Sequence, residues 1–341
     1  MSTSTIEADS LNWSPKMKYG LLTYSETKKL FNIGDYIQSL AAKQFLPQVD
    51  AYINREAMAL YDGDPLKLIL NGWFTHNIHN WVPSHKIHPL FVSFHVNASS
   101  APYILDAKGL AYLAKYQPIG CRDQFTVKLL EQKGIKAYFS GCLTLTLNHY
   151  AVPESERCDD IYIVDPFFNY PNLSTLLISW RFCARGILNG DAFKLGKKSQ
   201  HMKRIFTPEF LRKAKYETQV LPTGTYSDAE KFTIADALLR KYAKAKLVVT
   251  SRIHCALPCL AMGTPVIFIN GFNSFIDTCR FDGIMNLFNR VDVDTMGNFK
   301  ANFELQGKID TDTTVTNLSE YKILAADLKE KCRLFCEETN S

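Results

Sequence analysis

From Leu247 to Thr250 the chain carries an apolar, β-branched run that passes directly into Ser251, Arg252 and His254. A mostly apolar segment follows, Gly263 stops it, and a second apolar run covers Pro265 to Ile269. The outer runs predict buried strands and the middle one a helix, so the stretch reads as one βαβ unit of a parallel sheet. Ligands of open α/β sheets sit beyond the carboxyl ends of the strands, which makes Arg252 and His254 candidate site residues. Both fall in the first turn of the helix, whose free N–H groups favour an anion, with Ser251 as its expected cap. Pro258 cannot donate to the carbonyl of His254, so a kink or a distorted first turn is expected there.

Short apolar runs alternate with helical stretches through most of the chain. Tyr19 to Tyr24 reads as a strand, and residues 36 to 46 as a helix that ends before Pro47. Further strands are expected over Lys67 to Asn71, Leu90 to His95, Lys136 to Phe139, Asp159 to Asp165 and Gln219 to Leu221. Pro118 to Arg122 is a strand or turn that leads into an amphipathic helix closed by Gly134. Ser227 opens a helix through Tyr242, and Leu318 to Glu337 reads as a last helix. The fold class is α/β, and 341 residues divide naturally into two domains, expected to meet near residues 150 to 160.

Asn32, Gly34 and Asp35 lie between the first strand and its helix. The loop lacks the glycines of a dinucleotide fingerprint and the Gly-Lys-Ser/Thr of a phosphate loop, which disfavours an ordinary NAD or ATP site. Asp35 admits two uses, as a helix cap or as a carboxylate that holds or deprotonates a hydroxyl. His95 and Asp165 each end an expected strand. Arg122 marks a strand-to-helix junction like that of Arg252, which sets two arginines to face each other across a cleft. Arg280 stands with aromatic residues at the expected cleft wall. Between the strands at 67–71 and 90–95, Trp73, Phe74 and Trp81 are interleaved with His76, His79, His85 and His88. Aromatic faces beside hydrogen-bonding groups suit a sugar ring, and ordinary loop packing is the other reading. No Asp, Glu or Cys joins these histidines, and no metal is expected.

A composition of 46% apolar and 21% charged residues describes a folded soluble chain. The formal charge of +5 favours an anionic substrate or surface and is too diffuse to indicate nucleic acid. The basic run from Lys194 to Lys215 is a solvated face or a contact with an anionic carrier or membrane surface. Nine cysteines, without the spacing of a zinc ribbon, read as free thiols in a reducing compartment. The start lacks the character of a secretory signal, and no apolar run has membrane-spanning length. A cytoplasmic protein is therefore expected, with peripheral contact at the inner face of the membrane as a further reading.

Three stretches carry a resemblance: NIGDYIQSL, PIGCRDQFTVKLLEQKGIKAYFSGCLTLTL and, most specifically, TSRIHCALPCLAMGTPVI. In their order and spacing they resemble the polysaccharide pyruvyl transferase family over residues 17 to 292. The strand end Asn71 to Phe74 departs from the glycine-rich pattern of relatives. The resemblance implies two Rossmann-like domains around a central cleft, similar to GT-B glycosyltransferases. Residues 17–153 are then the acceptor side, 154–316 the phosphoenolpyruvate side, and 317–341 a C-terminal helix. It also implies transfer of a carboxyethylidene group from phosphoenolpyruvate to two sugar hydroxyls, as in exopolysaccharide or capsule synthesis, without a cofactor.

Carried over residue by residue, the resemblance sets the Arg-X-His signature on Arg252 and His254, expected at the donor, the middle arginine on Arg122, and the Asn-X-Gly-Asp element on Asn32, Gly34 and Asp35. His254, Asp35 and His95 are the catalytic candidates. Arg252, Arg122, Ser251, Asn32, Asp165, Trp73, Trp81 and Arg280 are the substrate-binding ones. Expected partners are phosphoenolpyruvate, a sugar acceptor that is free or lipid-linked, and further copies of the chain. Two other readings share the same residues: a nucleotide-sugar glycosyltransferase, and a glycan-binding protein without catalysis.

Overall fold

The computed structural model describes residues 17–26, 30–170, 196–271 and 278–338. The polar first 16 residues, Cys183 and Lys194 lie outside that range. Seven strands come from the first half: β1 (Lys18–Thr23), β2 (Leu30–Asn32), β3 (Ala51–Asn54), β4 (Leu66–Phe74), β5 (Ile87–Val96), β6 (Ile119–Cys121) and β7 (Ala137–Phe139). The second half supplies β8 (Ile161–Val164), β9 (Lys215–Glu217), β10 (Val220–Pro222), β11 (Leu247–Thr250), β12 (Val266–Asn270), β13 (Asn289–Val293) and β14 (Phe299–Ala301).

Two six-stranded sheets result. The first has the order β3-β1-β4-β5-β6-β7 and is parallel throughout. The second has the order β14-β13-β12-β11-β8-β9 and is parallel except for the edge pair β13 and β14. Helical crossovers between parallel strands make both sheets Rossmann-like. Strand order reverses between β1 and β4 in one sheet and between β8 and β11 in the other, which opens a crevice at each carboxyl edge.

The helix Ile253–Ala261 is apolar all round, and every one of its residues is buried. It packs against β11 and β12, against the helix Gly34–Lys43 and against the turn Leu143–Thr146. Helix Gly34–Lys43 in turn meets the helix Asp228–Ala243, so one apolar cluster runs from the first sheet to the inner face of the second. A smaller cluster, with Phe206, Phe210 and Ile269, covers the outer face of the second sheet. Tyr321–Glu337 buries Ala325, Leu328, Cys332 and Cys336 along one stripe. This helix returns to the first sheet, where Tyr19 Oη donates to the Cys336 carbonyl at 2.8 Å.

Three features depart from the sequence reading. β4 continues through Phe74, so Trp73 and Phe74 belong to a strand rather than a loop. β10 joins neither main sheet; it pairs antiparallel with β2 in a two-stranded ribbon that ties the halves together, and Ile33 N donates to Gln219 O at 2.8 Å beside it. β13, of sequence NRVDV, is an extra strand whose polar alternation is accommodated because Arg290 Nε pairs with Asp292 along its partly exposed face. Among the described residues no helix is long and apolar enough to cross a membrane.

Candidate active site

The carboxyl ends of both sheets line one cavity of about 290 Å³. The first sheet contributes Asn32 and Asp35 after β1, Trp73 and His76 at the end of β4, Asn97 after β5 and Arg122 after β6. The second contributes Phe168 after β8, Gln219 after β9, Ser251 to His254 after β11, and Arg280 with Phe281 after β12. Arg122, Arg252, Arg280 and His254 thus share one space, and Asp35 is the only carboxylate among the described residues lining it.

One wall of the cavity is a close fit between two distant stretches of sequence. Asn32 Oδ1 accepts from Gly34 N at 3.1 Å and turns the chain into its helix. The N-cap is Ile33, whose side chain makes no capping bond, and Asp35 stands in the first turn instead of at the cap. Its carboxylate accepts from Gln38 Nε2 at 3.1 Å and faces the cavity. A Cβ on Gly34 would lie 3.0 Å from Cβ of His254, so the absence of a side chain at 34 is what lets the two stretches meet.

Arg252 begins the central helix as its N-cap. Its Nε donates to Asp165 Oδ2 at 3.0 Å, and its guanidinium lies 4.0 Å from the centre of the Phe168 ring. The same Asp165 oxygen accepts from Gln219 N at 2.9 Å. Asp165 does not line this cavity; held between Arg252 and Gln219, its carboxylate orients the guanidinium. Ser251 lines the cavity, but its expected role as helix cap is corrected: its hydroxyl donates to Ile269 O at 2.7 Å and accepts from Phe167 N at 3.0 Å, so it pins neighbouring strand ends, and the N-cap is Arg252.

The carbonyl of His254, deprived of its helical donor by Pro258, accepts from Gln219 Nε2 at 3.2 Å. The side chain of Gln219 therefore repairs the defect that proline creates, which keeps the first turn in place. Nε2 of His254 is buried and has no hydrogen-bond partner among the described residues. Burial first, then Arg122, Arg280 and Arg252, hold the proton affinity of this imidazole well below its ordinary value of 6.5. The folded state thus excludes a proton that the unfolded chain binds below about pH 6.5, so His254 lowers stability as pH falls through that range. A His254→Gln variant is expected to show a shallower acid limb, by up to about 1.4 kcal/mol per pH unit, in urea titrations between pH 6.5 and 5.

His95 is fully buried and absent from the cavity lining. Nδ1 lies 2.6 Å from Asp123 Oδ2 and Nε2 lies 2.7 Å from Asn97 Oδ1. Burial, then the charge of Arg122, lower its proton affinity, while Asp123 opposes them. Its placement at a catalytic position is therefore corrected: Asn97 reaches the cavity and His95 supports it from behind. Arg122, which is buried, donates its backbone N–H to Phe94 O at 2.9 Å; its Nε lies 4.0 Å from Asp123 Oδ2 and has no hydrogen-bond partner among the described residues.

The aromatic residues separate into two roles. Trp73 lines the cavity, with the Arg55 guanidinium 4.9 Å from its ring centre. Trp81 is core: it stacks on Phe94 at 5.7 Å and donates Nε1 to Ile104 O at 3.0 Å. Its assignment to a sugar site is corrected, because an indole buried with its N–H engaged has no face for a ligand. Trp81→Ala is expected to cost about 3 to 5 kcal/mol of stability, measured by urea denaturation, without a specific loss of acceptor affinity in the folded fraction. Of the four loop histidines only His76 lines the cavity. Among the described residues no group of three His, Cys, Asp or Glu side chains is placed to hold a metal.

Gln38, Asn97, Gln219 and Phe168 were not singled out in the sequence for this wall. Gln38 follows Asp35 by three positions and Asn97 follows His95 by two, spacings that carry a signal only once the strand ends are known.

A family model described as polysaccharide pyruvyl transferase matches residues 32–271. The chain belongs to the polysaccharide pyruvyl transferase family. A search of curated protein sequences gives no match. The match begins at Asn32 and ends just past β12, so it spans all the cavity residues except Arg280 and Phe281. Membership in the pyruvyl transferase family identifies a transferase of polysaccharide synthesis.

Proposed function

We propose that the protein transfers the carboxyethylidene group of phosphoenolpyruvate to two hydroxyls of one sugar, forming a pyruvate ketal and releasing phosphate. The observation that carries this reading is the polarity of the cavity: Arg122, Arg252 and Arg280 surround His254, and among the described residues one carboxylate, Asp35, shares the space. A donor bearing a carboxylate and a phosphate matches three guanidinium groups, each able to donate two hydrogen bonds to one anion. A hydroxyl acceptor matches a carboxylate that takes its proton.

In the proposed sequence the methylene carbon of the donor gains a proton, and its neighbouring carbon becomes an oxocarbenium centre. One sugar hydroxyl attacks that centre while Asp35 accepts its proton. The C–O bond to phosphate then breaks, with His254 beside the departing oxygen, and the second hydroxyl closes the ring. The methylene gains one proton, each hydroxyl loses one, and hydrogen phosphate leaves with the other, so protons balance without an external source. The arginines act by electrostatic stabilisation, which is strongest where it is prepaid in the fold.

We also propose the division of labour implied by the family: residues 17–153 as the acceptor side and 154–316 as the donor side of a GT-B-like arrangement. The test incubates the purified protein with phosphoenolpyruvate and a panel of free, nucleotide-linked and lipid-linked sugars. Phosphate release in step with a mass gain of one carboxyethylidene group on the acceptor supports the proposal. Nucleoside diphosphate release from a sugar nucleotide, with phosphoenolpyruvate untouched, replaces it with glycosyl transfer.

A further inference from the structure

A second chamber of about 200 Å³ opens beside the cavity and shares Asn32, Asp35 and His76 with it. We propose that this chamber holds the acceptor, and that the acceptor is an uncharged sugar unit whose diol is gripped between Asp35 and Arg55. The assignment as acceptor rests on the pyruvyl-transfer reading. The choice of an uncharged sugar rests on the chamber itself.

Its inner walls are aromatic. Tyr24 meets Tyr36 edge-on at 5.4 Å between ring centres, and Phe31 meets Tyr36 at 6.4 Å. Tyr24 and Tyr36 are buried in the wall, so the partly exposed Phe31 ring is the aromatic surface offered to the C–H face of a pyranose, beside a few convergent polar groups for its hydroxyls. Arg55 supplies the fixed polar point. It is 3% exposed, its guanidinium sits 4.8 Å from the Tyr24 ring centre and 4.9 Å from that of Trp73, and its Nε donates to Glu56 Oε1 at 2.9 Å. Glu56 is anchored in turn by Thr75 Oγ1 at 2.6 Å and Asn77 N at 2.7 Å. The guanidinium therefore has no freedom to swing away, and a preorganised donor loses little entropy when a ligand binds.

Among the described residues Nη1 of Arg55 is buried without a hydrogen-bond partner. Oδ2 of Asp35 lies 3.9 Å from it, too far for a hydrogen bond. A hydroxyl set to one side of that gap accepts from Nη1 and donates to Asp35, which satisfies both groups and points the same hydroxyl at the carboxylate proposed as base. An unmet buried donor beside an accessible carboxylate is a costly arrangement that such a hydroxyl relieves.

Charge decides the class of sugar. The single positive charge of Arg55 faces two carboxylates, Glu56 at 2.9 Å and Asp35 at 3.9 Å. Lys231, behind the Phe31 and Tyr36 rings, is matched by Glu26 at 2.7 Å and Asp228 at 3.5 Å. A uronate or a sugar phosphate would bring a further anion against carboxylates already paired, and like charges at this range repel. The guanidinium groups of Arg122, Arg252 and Arg280 line the main cavity, where the donor is placed.

The test uses saturation-transfer NMR on the whole protein with methyl glucoside, galactoside and mannoside, and with the matching methyl uronosides. Two variants are compared: Leu30→Trp, which adds bulk at an exposed rim position of the chamber, and Arg55→Lys, which keeps the charge but loses the clamped fork. At least one neutral glycoside is expected to bind the wild type better than its uronoside, and to bind each variant about tenfold or more weakly. Affinity for phosphoenolpyruvate, measured by calorimetry without sugar, is expected to stay unchanged in Leu30→Trp. No binding by any neutral glycoside, unchanged binding in both folded variants, or preference for the uronoside each overturns the proposal. Neutral sugar binding that depends on the chamber, with no phosphate released from phosphoenolpyruvate, upholds the sugar site and sinks the pyruvyl-transfer reading instead.

Discussion

Arg252→Ala is expected to weaken phosphoenolpyruvate binding by about 2 to 5 kcal/mol while the protein remains folded. The guanidinium holds one edge against Asp165 and lies over Phe168, so its position is set before any ligand arrives. Part of the penalty is the cost of leaving Asp165 without its counter-charge, close to where the donor's anionic groups are proposed to sit. Arg252→Lys keeps the charge but cannot span Asp165 and an anion with a planar fork, so it should recover only part of the affinity. Asp165→Asn in the Arg252→Ala background removes the orphaned charge and should restore some binding. Calorimetric titration of the donor, with thermal melts as a control for folding, measures all three. Unchanged donor affinity in folded Arg252→Ala would remove the residue from the donor site and with it the proposed orientation of the cavity.

What could be read from the sequence was what local pattern controls. Leu247–Thr250 forms the strand that its β-branched run requires, and the apolar segment after it forms a helix buried on every side. Ser227 caps its helix through a reciprocal pair with Glu230, a motif carried by four adjacent positions. Arg122, Arg252, His254, Asp35 and Asn32 were legible as site candidates because each follows a strand, and the geometry of parallel sheets sends such positions to one edge.

The illegible part depended on partners distant in sequence. The β2–β10 ribbon consists of two three-residue strands, one ending in Pro222, and neither is long enough to show a period. Trp73 and Trp81 belong to one aromatic stretch, yet one ends a strand at the cavity and the other is pulled into the core by Phe94 and Ile104. Asp165 looked like a ligand because it ends a strand; the arginine 87 positions later that engages it cannot be seen from its neighbours. Arg55 follows the same rule, since only folding stacks it between Tyr24 and Trp73.

His254→Gln is expected to lower turnover by about 10²- to 10⁴-fold, the usual range for a positioned acid or base, with a smaller change in donor affinity. In the free protein the imidazole is buried among Arg122, Arg280 and Arg252, all of which disfavour a second positive charge. It is therefore neutral near pH 7. Phosphoenolpyruvate brings a carboxylate and a phosphate against the same arginines, and their neutralisation removes much of the repulsion that depressed the imidazole. Its proton affinity must then rise on binding, so donor binding should take up a fraction of a proton from solvent at pH 6.5 to 7. Calorimetry in buffers of different ionisation enthalpy reads that uptake directly. It should be present in the wild type, absent in His254→Gln and retained in His95→Gln, because His95 lies behind Asn97 outside the cavity lining. Near-normal ketal formation by a folded His254→Gln protein would eliminate the catalytic role, and proton uptake that persists in that variant would assign the titrating group elsewhere. Loss of both together ties the proton to the buried imidazole of His254, which lines the cavity among the arginines.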